Sequence, residues 1–404
     1  MTRSKASTKR WQWGMIGLVV ACGLGTAPAV RAQDGASRFD IYGFAMMDMG
    51  YQTKQNDPLW FDVLRPTKLP SAEKQFGEDG RWFMGVRQSR FGVKSFTPTD
   101  LGELRTTFEF ELFGTGVDAG QTTLRLRHAY GELGQFGFGQ TWSPFMDIDV
   151  FPNSIEYWGP NGMVFFRNVQ ARWMPIQGDR RLTIALERPG ASGDAGVYAD
   201  RVQQQNVQAR FALPDLSGEY HLGQPWGYVE AAGIVRQMNW DDLNPAAPDL
   251  SGDAVGWGIN LSSNVKAGRG TARLSVVYGE GIENYMNDAP VDVAPDSLSP
   301  TNIEGKALPV LGIVAFYDVQ WNERWSSTAG YSSVDIDNTN GQRPDAFKRG
   351  QYALANLLYY PAKNVMVGGE LQWGDREDKG GFTSDDLRFQ VSAKYNFSTS
   401  IGGR

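Results

Sequence analysis

The sequence predicts an all-β protein, a transmembrane antiparallel β-barrel of sixteen strands. Three observations lead to this prediction: an export signal at the N-terminus, candidate strands in which apolar and polar residues alternate, and connections that alternate between short and long. No long segment places apolar residues at i, i+3, i+4 and i+7, so the pattern of an amphipathic helix is essentially absent.

Residues 1–32 have the features of an export signal. Four basic residues fall within the first ten positions, an apolar run follows at 15–24, and Val30-Arg31-Ala32 places small residues at the cleavage positions. The apolar run is shorter than the roughly 20 residues of a membrane-spanning helix. We therefore expect cleavage after Ala32, which leaves one barrel domain at 33–404. The alternative is a lipoprotein acylated at Cys22, because Val19-Val20-Ala21-Cys22 is similar to a lipoprotein cleavage site.

Composition excludes several classes of protein. Cys22 is the only cysteine, so a chain cleaved after Ala32 has no disulfides, no thiol catalysis and no cysteine-based zinc site. The signal holds five of the 39 Lys and Arg residues and no acidic ones, so 34 basic and 45 acidic residues remain, a net charge of −11. A net acidic chain is a poor candidate for binding nucleic acid. We expect no cofactor and no metal.

The C-terminal segment shows the alternation most clearly. From Leu387 to Phe397, six apolar residues alternate with Arg388, Gln390, Ser392, Lys394 and Asn396. Strict period two over eleven residues matches the length of a tilted strand that crosses a membrane.

Sixteen segments carry strand signals, an even number, as single-chain bacterial barrels require. The candidates are 39–52, 81–96, 103–113, 122–132, 135–142, 163–174, 181–188, 204–213, 225–239, 252–264, 271–280, 309–320, 323–335, 350–360, 364–376 and 384–397.

The connections between these segments alternate in length, which is typical of an outer-membrane barrel with short periplasmic turns and long external loops. Short turns are predicted at 97–100, 133–134, 175–180, 266–270, 321–322 and 361–363, with a longer member at 214–224. Long loops are predicted at 53–80, 114–121, 143–162, 189–203, 240–251, 281–308, 336–349 and 377–383. Sixteen strands close into a wall too wide for side chains to fill, so the sequence predicts an aqueous lumen.

Loop 143–162 is the candidate constriction loop. It is long and aromatic, it is the third long connection, and it carries the acidic residues Asp147, Asp149 and Glu156. We expect it to fold into the lumen; the alternative is an ordinary external loop. Charged side chains at the narrowest section set the selectivity of such a pore.

Basic residues are expected on the wall that faces this loop. If the apolar neighbours face lipid, six cations in the second to sixth strands face the lumen. These residues are Arg90, Lys94, Arg105, Arg125, Arg127 and Arg172. Several cations in a narrow pore favour anions, whereas pairing with Glu109, Glu111, Asp147 and Asp149 would give a neutral network instead.

Three polar residues fall on the lipid side of the alternation: Arg87, Ser89 and Arg167. Arg at the bilayer midplane costs about 2–4 kcal/mol. We therefore expect these residues at an interface, at a bulge, or covered by protein, as in a contact between subunits.

Several stretches resemble the DcaP-like trimeric outer-membrane porins. The resemblance is carried by the segments 87–93 (RQSRFGV), 125–131 (RLRHAYG), 139–147 (GQTWSPFMD), 355–361 (ANLLYYP) and 369–374 (GELQWG). It implies a homotrimer of sixteen-stranded barrels in the outer membrane, in contact with lipid and lipopolysaccharide, that passes small anionic solutes such as dicarboxylates. Two departures are the absence of a coiled coil between Ala32 and Phe39, and a tail of seven residues after Phe397.

Two other classes of function remain open at this point. An outer-membrane barrel enzyme acting on lipid or glycan would need a catalytic group such as His128 or His221, or the pair Glu109 and Glu111. A secreted soluble β-protein would use its tryptophans to bind carbohydrate. Conductance separates a pore from an enzyme, and a need for detergent separates both from a soluble protein.

Overall fold

A computed structural model describes residues 35–195, 197, 207–243, 250–299 and 302–403 of the chain. The expected export signal at 1–32 lies outside the described residues. Among the residues that are described, no helix is long and apolar enough to cross a membrane.

The described chain is built almost entirely from β-strands. They are β1 (Arg38–Gln52), β2 (Arg81–Gly85), β3 (Arg90–Thr99), β4 (Gly102–Phe113), β5 (Thr122–Leu133), β6 (Phe136–Trp142), β7 (Arg167–Ile176), β8 (Arg180–Glu187), β9 (Val207–Arg210), β10 (Asp215–Gln224), β11 (Gly227–Asp242), β12 (Gly252–Ala267), β13 (Gly270–Glu280), β14 (Val293–Ser299), β15 (Asn302–Ala307), β16 (Pro309–Asn322), β17 (Trp325–Ile336), β18 (Phe347–Tyr359), β19 (Val365–Asp378) and β20 (Thr383–Gly402). Single turns of 3₁₀ helix lie at Pro58–Trp60, Pro66–Lys68, Gly116–Asp118, Ile148–Val150 and Glu283–Tyr285.

These strands close into a barrel of sixteen antiparallel wall strands, which confirms the predicted fold class. Strand β1 pairs with β20 along its whole length, from Arg38 opposite Gly402 to Gln52 opposite Arg388, so the first and last strands close the barrel. Strands β2 and β3 both pair with β1 and together make the second wall strand. Strands β9 and β10 both pair with β11 and make the eighth. The hairpin β14–β15 is a separate two-stranded sheet within a long connection.

Exposure along β20 shows which face of the wall points outward. Phe389 is 47% exposed, whereas its neighbours Arg388 and Gln390 are fully buried. A soluble sheet would bury the apolar face instead. The inverted pattern is that of a wall with lipid outside and polar groups inside. Beyond Phe397 the strand continues, and Ser398–Gly402 pair with Arg38–Tyr42 of β1.

The prediction for the eighth wall strand was right only for its short part: β9, at Val207–Arg210, lies within the expected 204–213, but the longer part was missed. A strand at 204–213 and a turn at 214–224 were expected, but β10 occupies Asp215–Gln224 and the turn is Pro225-Trp226. The segment Ser217-Gly218-Glu219 is rich in turn-forming residues, yet β10 pairs with β8 on one side and β11 on the other. Tertiary pairing therefore overrides the local propensity of this segment.

Two of the three polar residues on the expected lipid face lie at a break between β2 and β3. There Arg87 is buried by the chain itself: its guanidinium contacts the carboxylate of Asp62 and donates 2.8 Å to the carbonyl of Gly114. Ser89 accepts a hydrogen bond of 3.0 Å from the backbone N–H of Met46. An irregularity in the strand, one of the expected explanations, accounts for both residues.

Part of the lumen is filled by loops. Leu64, Phe145 and Met286 come from three different long connections and pack against inward-facing residues such as Phe316 and Tyr352. All five side chains are buried. These loops narrow the passage that the wall alone would leave.

The wall is split where loop 143–162 begins. Strands β5 and β6 form only five pairs, from Ala129 opposite Gln140 to Leu133 opposite Phe136. Beyond Ala129, β5 continues seven residues to Thr122 without pairing to β6. The amide of Gln140 bridges the split by donating to the carbonyls of Leu126 and Arg127, each at 3.3 Å.

Candidate functional site: a constriction loop and its charged wall

Loop 143–162 lies inside the barrel and follows its inner surface. Ser143 donates to Glu187 of β8 at 2.6 Å, and the carbonyl of Phe145 accepts from Asn260 of β12 at 3.1 Å. Asp147 then accepts from Tyr228 of β11 at 2.7 Å. The first part of the loop is thus fixed to three wall strands.

The second part of the loop continues around the barrel. The carbonyl of Asn153 accepts from Asn356 of β18 at 2.9 Å. Glu370 of β19 accepts from the backbone N–H groups of Ile155 and Glu156, at 3.0 and 3.2 Å. Tyr157 donates to Glu111 of β4 and stacks on Phe113, with ring centroids 3.9 Å apart. The loop therefore runs from β8 past β18 and β19 to β4, and it leaves β5 to β7 as the uncovered part of the wall.

The acidic residues of the loop hold it in place. Asp147 and Glu156 are both buried. Besides Tyr228, Asp147 accepts from Ser262 at 2.6 Å, and Glu156 accepts from the backbone N–H groups of Leu64, at 3.2 Å, and Gly159. Burial raises the pKa of Glu156 to about 7. Asp149 is exposed, and its backbone carbonyl accepts from Asn264 at 2.7 Å. Of the three predicted acidic residues, only Asp149 has an accessible side chain.

Three of the predicted cations converge on Glu109 and Glu111 of β4. Arg127 of β5 contacts both carboxylates at 2.6 Å. Arg90 of β3 lies 3.3 Å from Glu111 and 3.6 Å from Glu109. Arg125 of β5 lies 3.6 Å from Glu111. Register explains the convergence, because Glu111 stands opposite Arg90 on one side and Arg125 on the other.

A fourth arginine, not among the predicted site residues, completes this cluster. Arg167 begins β7 at the end of loop 143–162, and its guanidinium lies 3.8 Å from Glu111 and 4.9 Å from the ring of Trp142. Four guanidinium groups thus share two carboxylates, an excess of two positive charges, and Tyr42 donates a further hydrogen bond to Glu109 at 2.9 Å. We call Arg90, Arg125, Arg127, Arg167, Glu109 and Glu111 the arginine cluster.

A bulge in β5 shapes the cluster. Glu109 pairs with His128 while Phe110 pairs with Leu126, so Arg127 is the extra residue. Both Arg127 and His128 consequently point inward, where regular alternation would send one of them outward. Arg127 is 5% exposed.

The other predicted cations lie away from the arginine cluster. Arg105 pairs with Glu103 and Glu132 near the end with short turns, and it is 58% exposed. The ammonium of Lys94 lies 5.4 Å from the ring of Tyr42. Arg172 donates to the carbonyl of Trp142 at 2.5 Å and lies over Tyr130. Strand alternation places all three residues on the inner face of the wall, but at different heights along the barrel from the cluster.

A second charged group lies on β8, β10 and β11. Arg181 contacts Glu219 at 2.8 Å and Glu230 at 3.0 Å, and His221 lies 2.9 Å from Glu230. Carboxylates outnumber guanidinium groups here, the reverse of the arginine cluster. Within the described ranges, no group of three or more His, Cys, Asp or Glu residues could hold a metal ion.

Comparisons with known proteins agree with this architecture. The sequence model of the DcaP outer membrane protein family matches residues 82–397, which is 316 of the 404 residues. The crystal structure of the outer membrane channel DcaP of Acinetobacter baumannii superposes with a TM-score of 0.73 at 22% identity, covering 92% of this chain and all of that one.

More distant barrels share the fold. OmpT of Vibrio cholerae, folded in vitro, has a TM-score of 0.56 at 14% identity over 92% of this chain and all of that one. The anion-selective porin from Comamonas acidovorans has a TM-score of 0.56 at 11% identity over 89% of this chain and all of that one. No curated protein matches the sequence. With a closed sixteen-stranded wall and a family match over most of its length, the chain belongs to the DcaP outer membrane proteins and forms a channel of the bacterial outer membrane.

Proposed function

We propose that the chain is a passive diffusion porin for small hydrophilic solutes and that it favours anions, dicarboxylates among them. The observation that carries this proposal is the excess of two positive charges in the arginine cluster. The cluster begins where Tyr157 of loop 143–162 meets Glu111 of β4 and extends onto β5 and β7, which the loop leaves uncovered.

The cluster can attract solutes because two of its arginines reach water. The side chains of Arg90 and Arg125 are 25% and 29% exposed, while the carboxylate of Glu111 beneath them is fully buried. A permeating ion therefore meets guanidinium groups before it meets a carboxylate. In a narrow passage these charges are screened less than on an open surface.

Dicarboxylates fit this arrangement as a class of solute. Guanidinium groups bind carboxylates through paired, charge-assisted hydrogen bonds. Several guanidinium groups along one wall offer successive partners to a solute with two carboxylates. The resemblance to the DcaP-like porins leads to the same class of solute.

Reversal potential in planar bilayers tests the anion preference. Purified protein is inserted between two KCl solutions of different concentration, and the zero-current voltage gives the ratio of chloride to potassium permeability. We expect a ratio above one. A ratio below one would contradict the role given to the arginine cluster. Liposome swelling in succinate and in a neutral sugar of similar size then tests passage of the solutes themselves.

Enzymatic activity is not part of the proposal. His128 lies 3.0 Å from Thr141 and packs against Trp142, and His221 lies against Glu230 and Tyr228. Glu109 and Glu111 are held by arginines, which leaves neither as a free general acid. A lipid or glycan hydrolase assay on the purified protein is expected to show no turnover.

We further infer a homotrimer in which subunits meet at the split between β5 and β6. Unpaired backbone in contact with lipid is costly, so a covering by protein is favoured there. One structural neighbour, OmpT of Vibrio cholerae, is described in a trimer form. The remaining outer wall, which exposes Trp82, Phe389 and Tyr395, is expected to contact lipid and lipopolysaccharide. Crosslinking of the detergent-solubilised protein should yield a trimer.

A further inference from the structure

A cavity lies beside the arginine cluster, next to the split in the wall. Its volume is about 330 Å³, and its lining includes Arg125, Arg167, Tyr157, Phe165 and Asn287. Cavities of this size accommodate small organic molecules.

Two arginines of the lining have donors to offer. Nη1 of Arg167 is buried and has no hydrogen-bond partner among the described residues. The side chain as a whole is 7% exposed, and its contact with Glu111 is 3.8 Å. Arg125 is farther from a close partner than Arg127, at 3.6 Å from Glu111 compared with 2.6 Å. A buried donor without a partner is costly, which favours a ligand that accepts from it.

A third arginine in the lining does not contribute in this way. Arg65 lies between the rings of Trp60 and Trp158, at 4.2 and 3.9 Å, and its guanidinium contacts Asp288 at 2.8 Å. Its charge is therefore neutralised within the protein. Trp158 in turn donates to the carbonyl of Asn287 at 2.8 Å, so this side of the cavity is fixed by its own contacts.

Aromatic side chains supply much of the remaining lining, which also includes the buried carboxyl group of Glu283. The ring of Phe165 packs on Trp142 at 5.1 Å, and the ring of Tyr157 stacks on Phe113. Both rings are held by neighbours, which keeps them in place against the apolar part of a ligand. Cationic donors and aromatic rings in one cavity suit an organic anion better than a bare inorganic one.

We propose that this cavity binds the anionic head group, carboxylate or phosphate, of a small organic molecule between Arg125 and Arg167. The site rests on the proposed pore function and makes the passage saturable. Arg167 acts as a specificity-determining residue, because its guanidinium lies 3.8 Å from Glu111, whereas Arg127 is already held by two carboxylates at 2.6 Å.

Single-channel recording tests the site with acetate, butyrate and ethyl phosphate as probes. Each is added to the side of the long loops at constant ionic strength, and the fraction of time blocked is measured. Butyrate should block in a saturable manner at a lower concentration than acetate, by roughly fourfold for each methylene buried. Comparison of butyrate with ethyl phosphate shows which head group the arginines prefer. A block that rises linearly with butyrate and never saturates would overturn the proposal.

Variants locate the site. Arg167→Gln and Arg125→Gln should each raise the half-blocking concentration of butyrate by about tenfold or more. Arg167→Lys should recover part of the loss. Lys348→Gln is the control, since Lys348 is an external cation paired with Glu377 and lies outside the cavity lining. The site would be refuted if the block by butyrate weakened equally in Lys348→Gln, or if it did not weaken in Arg167→Gln.

The two proposals fail in different ways. An anion-selective wild-type pore without saturable block retains the proposed function and loses the binding site. A pore with no anion preference whose block still depends on Arg167 retains the site and loses the proposed selectivity. Heat-modifiable migration on gels confirms that each variant has folded.

Discussion

Replacing Arg125 by Gln removes one positive charge from the arginine cluster while keeping a long polar side chain. The excess then falls from two charges to one. The guanidinium contacts Glu111 at 3.6 Å and is 29% exposed, so its loss leaves the carboxylate with its closer partner Arg127 at 2.6 Å. The barrel should fold normally, and the change should register in ion selectivity.

The size of the effect follows from Coulomb's law. A unit charge about 6 Å from a permeating ion changes its energy by roughly 0.7 kcal/mol at the dielectric constant of water. Screening at 0.1 M salt, with a Debye length of about 10 Å, reduces this to roughly 0.4 kcal/mol. Loss of the charge raises the energy of chloride in the pore and lowers that of potassium, so the ratio of chloride to potassium permeability should fall about fourfold. The double variant Arg90→Gln/Arg125→Gln removes the whole excess of positive charge, and its ratio of chloride to potassium permeability should fall further.

Reversal potential across a KCl gradient measures this ratio. Arg105→Gln is the matched control: it removes the same charge from the lumen wall, but at a residue 58% exposed and paired with Glu103 and Glu132. We expect the permeability ratio of Arg105→Gln to change by less than half as much as that of Arg125→Gln. Equal shifts in Arg125→Gln and Arg105→Gln would show that selectivity is spread along the lumen, and the reasoning from the cluster would be wrong.

Three further predictions concern loop 143–162. Tyr157→Phe removes the hydrogen bond to Glu111 but keeps the stack on Phe113, so open-channel current noise should increase while the gel mobility of the folded barrel stays unchanged. The pKa of Glu156 is about 7 in the folded protein against 4.5 in an exposed chain, so its stabilising contribution is complete below about pH 4.5 and is lost as the pH rises through 7. Glu156→Gln, which mimics the protonated acid, should therefore stabilise the barrel at pH 8 by roughly 3 kcal/mol and have little effect at pH 4.5. The temperature at which the folded gel band shifts to the unfolded one measures this stability. An equal effect at both pH values would contradict the assignment. Gly162→Ala places a Cβ 2.0 Å from the carbonyl oxygen of Ser333 and should lower that temperature, whereas Gly190→Ala, with no heavy atom within 4 Å, should not.

Much of the wall could be predicted from the sequence because lipid imposes a strict rule on it. Every second residue of a wall strand faces lipid, and the sequence from Leu387 to Phe397 follows this alternation without exception. Where turn-forming residues interrupt the alternation, as in β10, prediction failed. Pairing with neighbouring strands decides the structure there.

The side of the wall on which each cation lies was easier to predict than its position along the barrel axis. Alternation places Arg105 and Arg125 on the same side of the wall, but register determines which residues meet. Arg105 is six residues from Glu111 along β4, roughly 20 Å at the rise of a strand. Arg125 stands opposite Glu111. The sequence therefore indicated a basic wall, and only the register divides it into a cluster and separate residues.

The burial of the acidic residues in loop 143–162 could not be predicted from the sequence. Its acidic residues suggested a negatively charged surface facing the pore, because an irregular segment has no period from which burial can be read. The structure instead has Glu156 accepting from backbone N–H groups and Tyr352, and Asp147 accepting from hydroxyl groups. Arg167 was missed for a related reason. It is the first residue of β7, five positions after the loop, and its contact with Glu111 depends on the path of the chain leaving the loop and not on strand alternation, which had placed it on the lipid face.

Under the proposed function, carboxylates in this barrel have structural roles that leave the guanidinium groups to act on solutes. Asp147 and Glu156 fix the loop, and Glu111 holds four arginines at one height without neutralising them. The net charge of −11 expected for the chain after Ala32 does not oppose this, because charges more than about 10 Å from the passage are largely screened at 0.1 M salt. Ion preference in a pore follows from the charges that line its narrowest level, and we propose that the arginine cluster, with four guanidinium groups to two carboxylates, sets it here.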